Sequence, residues 1–122
     1  IGTPWIATPE ANAVEAYKQA IVDSTASGIV FSNLFTGVHG NYLRSSIAAA
    51  GMDPDNLPQG DKSQMNFGSG GNMEAKAWKD IWGSGQGIGA IHAIEPVAAR
   101  VDTLLAQYGA AQEELLARLG RR

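Results

Sequence analysis

Two glycine-containing segments carry residue types that could bind a phosphate group. Gly2-Thr3 offers a hydroxyl and backbone N–H groups, and such donors at the turn between a strand and a helix can hold phosphate oxygens. In the segment from Gly83 to Gly89, the glycines would let a ligand approach the backbone closely. Gln86 adds a side-chain amide that both donates and accepts hydrogen bonds. An ordinary turn at Gly2-Thr3 and a flexible connection between helices at 83–89 would explain the same residues without a ligand.

His39 is a candidate of a different kind. It lies between Gly37 and Gly40 in a glycine-containing connection, where a neutral imidazole could contact a substrate or act as a base. A hydrogen bond from the ring to a backbone carbonyl is the structural alternative, and we favour it. The carboxylates, among them Asp53 and Asp55, show no metal-ligand spacing. With no cysteine in the chain, we predict no metal site.

Composition excludes several classes of partner. The 122 residues carry a formal net charge of -3, from 9 basic and 12 acidic side chains, so no basic footprint for nucleic acid is present. No stretch approaches the roughly 18 apolar residues of a membrane span. We therefore expect no nucleic-acid or membrane partner and a cytoplasmic location.

The first half of the chain predicts alternating helices and strands. Thr8-Pro9-Glu10 combines a capping residue, a proline suited to the first helical position and an acidic first turn. A helix is predicted from Pro9 to about Ser24, followed by a strand at Ile29–Phe31. Thr36–Tyr42 is predicted as a loop. Leu43–Ala50 is predicted as a short helix closed by Gly51.

The second half predicts mainly helices and loops. Residues 52–71 are rich in turn signals, and a helix is predicted from Met73 to Trp82, ended by Gly83. Trp78 and Trp82 lie four residues apart and are interpreted as core anchors rather than as a platform for a flavin. A last amphipathic stretch runs from Val97 to Leu119, with Gly109 as a candidate break within it.

A longer pattern includes these candidates. It consists of Asn33-Leu34-Phe35-Thr36-Gly37-Val38-His39-Gly40-Asn41-Tyr42-Leu43-Arg44, then Asp53-Pro54-Asp55-Asn56-Leu57-Pro58, with Gly2-Thr3 upstream and Trp82 to Gly89 downstream. Together these residues resemble the C-terminal part of nitronate monooxygenases, also called 2-nitropropane dioxygenases. The resemblance runs from Gly2 to about Tyr108. Members of this family are FMN-dependent (β/α)8-barrel enzymes.

The resemblance implies an α/β fold. The chain would be the C-terminal portion of an FMN-binding (β/α)8 TIM barrel with an inserted small domain, and it would be mostly helical as an isolated chain. Residues 1–22 would hold the end of the last barrel strand and the following helix. Residues 23–72 would form the inserted substrate-side domain, and residues 73–122 would return as helices that pack on the barrel. Since a whole barrel needs about 250 residues, the N-terminal half would be a missing partner that carries the catalytic residues. The chain alone is then expected to be inactive.

The same resemblance implies FMN as cofactor, with Gly2, Thr3, Gly85, Gln86 and Gly87 binding it and His39 near the substrate. The substrates would be a small alkyl nitronate and dioxygen, and the products a carbonyl compound and nitrite. Pro4 stands where the family usually has Arg, which removes a cation and one N–H donor. Gly87 stands where many relatives have Ser.

Two alternatives come from different classes of protein. One is another FMN barrel oxidoreductase of the enoyl reductase type, which shares the phosphate-binding loops; the run from Phe35 to Tyr42 favours the nitronate branch. The other is a non-catalytic helical interaction module that buries its apolar faces against a partner.

Overall fold

The computed structural model of the chain describes residues 1–60 and 79–121. This part is mostly helical with a small two-stranded sheet, which confirms the prediction for the isolated chain. In chain order the elements are α1 (Thr3–Ile6), α2 (Glu15–Asp23), a 3-10 helix at Ala26–Gly28, β1 (Ile29–Ser32), β2 (Gly40–Leu43), α3 (Arg44–Ala49), a second 3-10 helix at Gln86–Ala90 and α4 (Val97–Leu119).

The sheet is an antiparallel hairpin. Ile29 is paired with Leu43 at one end of the hairpin and Ser32 with Gly40 at the other. The predicted strand at 29–31 is confirmed, and its alternation places Val30 inside and Phe31 outside. The loop predicted for 36–42 is wrong in its second half, because residues 40–43 gain backbone hydrogen bonds by pairing with β1.

An extended segment at Trp82–Ser84 lies along the other edge of β2. The Leu43 N–H donates to the Trp82 carbonyl at 2.8 Å, and the Ser84 N–H donates to the Asn41 carbonyl at 3.2 Å. The Ser46 hydroxyl accepts from the Trp82 N–H at 3.0 Å. The segment Trp82–Ser84 therefore pairs with the edge of the hairpin that β1 does not occupy.

Two apolar clusters form the core on either side of this pairing. The first contains Ala7, Ile21, Leu43, Ile88 and Ile91. The second contains Val30, Ile47 and Ile81. Leu43 and Ile47 are both fully buried, so β2 and α3 connect the two clusters.

The first predicted helix begins later than expected. Its start was placed at Pro9, but α2 begins at Glu15. The Thr8 hydroxyl accepts from the Ala11 N–H at 3.2 Å, so the capping signal is used, but for a single turn. The Glu10 carboxylate instead accepts from the Val97 N–H, at 3.1 and 3.3 Å to its two oxygens. A residue expected in the first turn of one helix therefore caps another helix, 87 positions along the chain.

Other expectations meet mixed outcomes. Thr3–Ile6 form a helical turn with proline near its start, so Gly2 leads directly into a helix rather than a loop, and the barrel strand expected to end at Gly2 stays a prediction. The helix closed by Gly51 is confirmed: α3 ends at Ala49, and Gly51 takes the left-handed φ of 84°. The helix predicted for 73–82 lies mostly outside the described residues.

The last amphipathic stretch is one continuous helix of 23 residues. Gly109 does not break it, since a glycine costs a helix interior only about 1 kcal/mol. Its first turn is held by Arg100, which donates to the carbonyls of Ala7 at 3.0 Å and Ala93 at 2.7 Å.

The large apolar side chains of α4 are exposed, and those after Arg100 extend over about 30 Å of the helix. They are Val97, Val101, Leu104, Leu105, Tyr108, Leu115, Leu116 and Leu119.

Replacing Arg100 with Ala should lower the free energy of unfolding by about 1.5–3 kcal/mol, because a charged donor to two carbonyls is lost. Arg118→Ala is the matched control. Within residues 1–60 and 79–121, Arg118 pairs only with Glu114 on the same helix, and its side chain is 74% exposed, against 11% for Arg100. Its loss should cost less than about 1 kcal/mol. Urea denaturation of both variants gives the comparison, and equal losses would contradict the anchoring role of Arg100.

Candidate functional site

The structure brings together the two segments that the sequence singled out. The Gly85 N–H donates to the Thr3 hydroxyl oxygen at 2.8 Å, across 82 positions of the chain. Thr3 is positioned by the turn of α1, and Gln86 and Gly87 open the 3-10 helix that follows Gly85. We call the site formed by Gly2, Thr3, Gly85, Gln86 and Gly87 the Thr3–Gly85 junction.

The donors at this junction suit a phosphate group without supplying a cation. The Thr3 hydroxyl accepts from Gly85 and keeps its own hydrogen for another acceptor. A side chain at Gly2 or Gly87 would meet no atom within 4 Å, so the backbone there is open to a ligand. Pro4 offers no N–H, and no described Lys or Arg side chain is hydrogen bonded to the junction. The residues therefore fit the phosphate end of FMN through neutral donors only.

Ser84 is a residue of this region to which sequence reasoning gave no role of its own. Its side chain is buried, and its hydroxyl has no hydrogen-bond partner among the described residues. A buried hydroxyl left without a partner costs about 1–3 kcal/mol. It lies directly between Gly83 and Gly85, so the only sequence signal was its place inside the glycine-rich run.

A second feature adjoins the junction. Tyr17 stacks on Trp82 with ring centroids 5.0 Å apart, and Phe35 meets Tyr42 edge to face at 4.9 Å. These four rings, with Thr36 and Ile81, line a cavity of 220 Å³, which we call the aromatic pocket. Trp82 packs against the first apolar cluster, in agreement with its interpretation as a core anchor. Trp78 lies outside the described residues.

The aromatic pocket and the Thr3–Gly85 junction share one backbone segment. Gly83 lines the pocket and its carbonyl accepts the Tyr17 hydroxyl, while Gly85, two residues later, donates to Thr3. Burial raises the pKa of Tyr17 above its ordinary value of 10.0, so the phenol stays neutral near pH 7 and keeps its proton for the Gly83 carbonyl.

His39 belongs to neither feature. Its ring is exposed and stacks on Phe31, with centroids 4.7 Å apart and an interplanar angle of 20°. It lines a separate cavity of 190 Å³ that also includes Asn33 and Asp55. The structure thus groups the five predicted cofactor residues and leaves His39 apart from them.

Residues 1–60 and 79–121 contain no group of three or more His, Cys, Asp or Glu side chains placed to hold a metal ion. None of the helices in these ranges combines the length and apolar character needed to cross a membrane.

Comparison with known proteins gives a fold. No known family profile matches the chain, and no curated protein matches it. Two solved structures do. The chain resembles the M276A mutant of FabK from Thermotoga maritima with a TM-score of 0.63 and 18% identity, over 95% of this chain and 35% of that one. A second structure of FabK from the same organism gives a TM-score of 0.58 and 19% identity, over 95% and 38%.

The fold of the chain matches a portion of a TIM-barrel enzyme. It spans a little more than a third of the length of the FabK chains. Because the identities are below 20%, the likeness concerns the fold. It supports the expectation of a portion of a TIM barrel and leaves the inserted domain, the cofactor and the reaction to the proposals below.

Tyr17→Phe should change how stability depends on alkaline pH. In the unfolded chain Tyr17 ionises near its ordinary pKa of 10.0, whereas in the folded chain it keeps its proton to higher pH. The unfolded state therefore binds fewer protons above about pH 10, and stability falls as pH rises from there. Denaturation midpoints between pH 8 and pH 11 should fall less steeply for Tyr17→Phe than for the unsubstituted chain. Identical slopes would contradict the burial of this phenol.

Proposed function

We propose that this chain works as the C-terminal part of an FMN-dependent barrel oxidoreductase. The observation that carries the proposal is the Thr3–Gly85 junction. Two glycine-containing segments meet there, on a fold shared with part of FabK, whose barrel binds FMN. Residues upstream of Ile1 would complete the barrel, with residues 23–72 as a small domain on the substrate side.

In this proposal the residues of the chain bind and orient the cofactor. The Thr3 hydroxyl and the N–H groups of Gln86 and Gly87 would hold the phosphate end, at a point where the glycines leave room for close approach. FMN, when bound, supplies the electron-transfer chemistry. Trp82 and Tyr17 fix the backbone at Gly83 and Ser84, and with it the position of Gly85.

The reaction we favour is the oxidation of an alkyl nitronate by dioxygen, giving a carbonyl compound and nitrite. Its support is the run from Phe35 to Tyr42, which resembles nitronate monooxygenases. Enoyl reduction is the second candidate, and the specific observation in its favour is the likeness to FabK, an enoyl-ACP reductase with a 2-nitropropane dioxygenase-like barrel.

An activity comparison on the full-length protein that contains this chain separates the two reactions. With propionate 3-nitronate or propyl-1-nitronate and air, the nitronate reaction should release nitrite in proportion to bound flavin. With an enoyl thioester, oxidation of NAD(P)H should stay at the background rate. The reverse pattern would assign the reaction to the enoyl reductase type, and absence of both would contradict the proposed function.

Two substitutions in the same full-length protein test the junction. Thr3→Val removes a hydroxyl donor and keeps the branched shape, so FMN affinity should fall roughly ten- to hundred-fold, corresponding to about 1.5–3 kcal/mol. Thr3→Ser keeps the hydroxyl and is the matched control. Gln86→Ala keeps the backbone N–H that would hold the phosphate and removes the side-chain amide. It should therefore retain flavin and lower turnover if that side chain faces the substrate. Flavin content after dialysis and nitrite formed per bound flavin are the readouts. Full flavin content in Thr3→Val would place the phosphate elsewhere.

The exposed face of α4 also suits the third class, a helical module that binds a partner. The isolated chain separates that class from a barrel fragment. A fragment should bind a hydrophobic dye and elute as associated species, because the apolar side chains of α4 lack their covering surface. A sharp monomer peak without dye binding, together with cooperative unfolding, would favour the module and count against the barrel proposal.

A further inference from the structure

Among residues 1–60 and 79–121, no charged side chain lines the aromatic pocket. Its wall consists of Tyr17, Phe35, Thr36, Tyr42, Ile81 and Trp82, with the backbone of Gly83. Its exposed surface is therefore mainly that of aromatic rings and one branched aliphatic chain, which favours apolar ligand groups.

Most polar groups in this wall already have protein partners. The Thr36 hydroxyl donates to the Val38 carbonyl at 2.9 Å and accepts from the Val38 N–H at 3.3 Å. The Tyr17 hydroxyl donates to the Gly83 carbonyl. A carboxylate brought into the pocket would lose its water and gain neither a cation nor these donors, which is costly.

The Tyr42 hydroxyl differs from the other two. No hydrogen bond to it is found among the described residues, and its ring folds back over Gly40, where a side-chain carbon would lie 3.0 Å from the hydroxyl oxygen. It remains available as a neutral donor. The pocket can thus supply apolar walls and a hydrogen bond to an uncharged acceptor.

The size of the pocket limits the ligand. A volume of 220 Å³ corresponds to about seven water molecules of liquid. That space suits a chain of about six carbon atoms or a single ring.

We propose that the aromatic pocket binds the uncharged apolar tail of the substrate, a short alkyl chain or a single ring, and that it discriminates against tails bearing a carboxylate. This inference rests on the proposed function, which puts the aromatic pocket beside the bound cofactor. It adds a substrate class, neutral-tailed compounds, that the sequence resemblance does not distinguish.

The test uses two probes on the full-length protein that contains this chain. Hexanamide and hexanoate have the same number of non-hydrogen atoms and differ in charge. In spectra of ¹⁵N-labelled protein, millimolar hexanamide should shift the signals of the Trp82 indole and the Gly83 amide to saturation. Hexanoate should bind at least tenfold more weakly. Equal binding of the two probes, or no shift at these residues with hexanamide, would overturn the proposal.

A pair of phenylalanine variants locates the site. Phe35→Ala should weaken hexanamide binding at least tenfold, because Phe35 lines the pocket. Phe31→Ala should leave it unchanged, since Phe31 is 67% exposed and lies outside the pocket. Equal effects of the two would contradict the assignment. Far-UV circular dichroism verifies folding, and if Phe35→Ala does not fold, the two-probe comparison on the unsubstituted protein decides.

Failure of this inference and failure of the proposed function give different results. If the full-length protein forms nitrite faster from propionate 3-nitronate than from propyl-1-nitronate, the neutral-tail inference fails and the function stands. If hexanamide binds as expected but the flavin-containing protein catalyses neither reaction, the function fails and the pocket stands as a binding site.

Discussion

The pairing of Trp82–Ser84 with β2 is the interaction on which the rest of the arrangement depends. Two backbone hydrogen bonds, from Leu43 to Trp82 and from Ser84 to Asn41, fix this segment along the edge of the hairpin. The pairing seats Ile81 in one apolar cluster and Ile88 in the other. Because the segment is short and extended, its position decides where every residue from 81 to 88 is placed.

This dependence means that one backbone segment positions both the Thr3–Gly85 junction and the aromatic pocket. Tyr17 holds the Gly83 carbonyl and stacks on Trp82, while Gly85 reaches Thr3. A displacement of the segment by even 1 Å would alter both features, and such small displacements affect binding sites strongly. The α4 helix contributes to neither feature, and its large apolar side chains are exposed.

Local signals predicted the local structure. The strand at 29–31, the helix closed by Gly51 and the long amphipathic stretch ending at Leu119 all follow from side-chain period, capping and turn chemistry. The failures arise where a distant partner competes. Glu10 caps α4 instead of its own helix, and Gly40–Leu43 is a strand only because β1 and Trp82–Ser84 bind its two edges. The junction could be predicted as two separate phosphate-type motifs, whereas its closure, the orphan Ser84 hydroxyl and the aromatic pocket depend on contacts that no single stretch of sequence encodes.

The long spans of these contacts also govern the order in which the chain can fold. Three hydrogen bonds join residues that are far apart in the chain. Thr3 and Gly85 are 82 positions apart, Tyr17 and Gly83 are 66 apart, and Ala7 and Arg100 are 93 apart. At a synthesis rate of about 5–20 residues per second, Gly85 is made roughly 4–16 seconds after Thr3. During that interval the hairpin and α3 can form, since their contacts are local, but α1 and α2 have apolar faces without a partner. Translation speed and chaperone access while residues 3–85 are being made are therefore expected to influence the yield of folded protein.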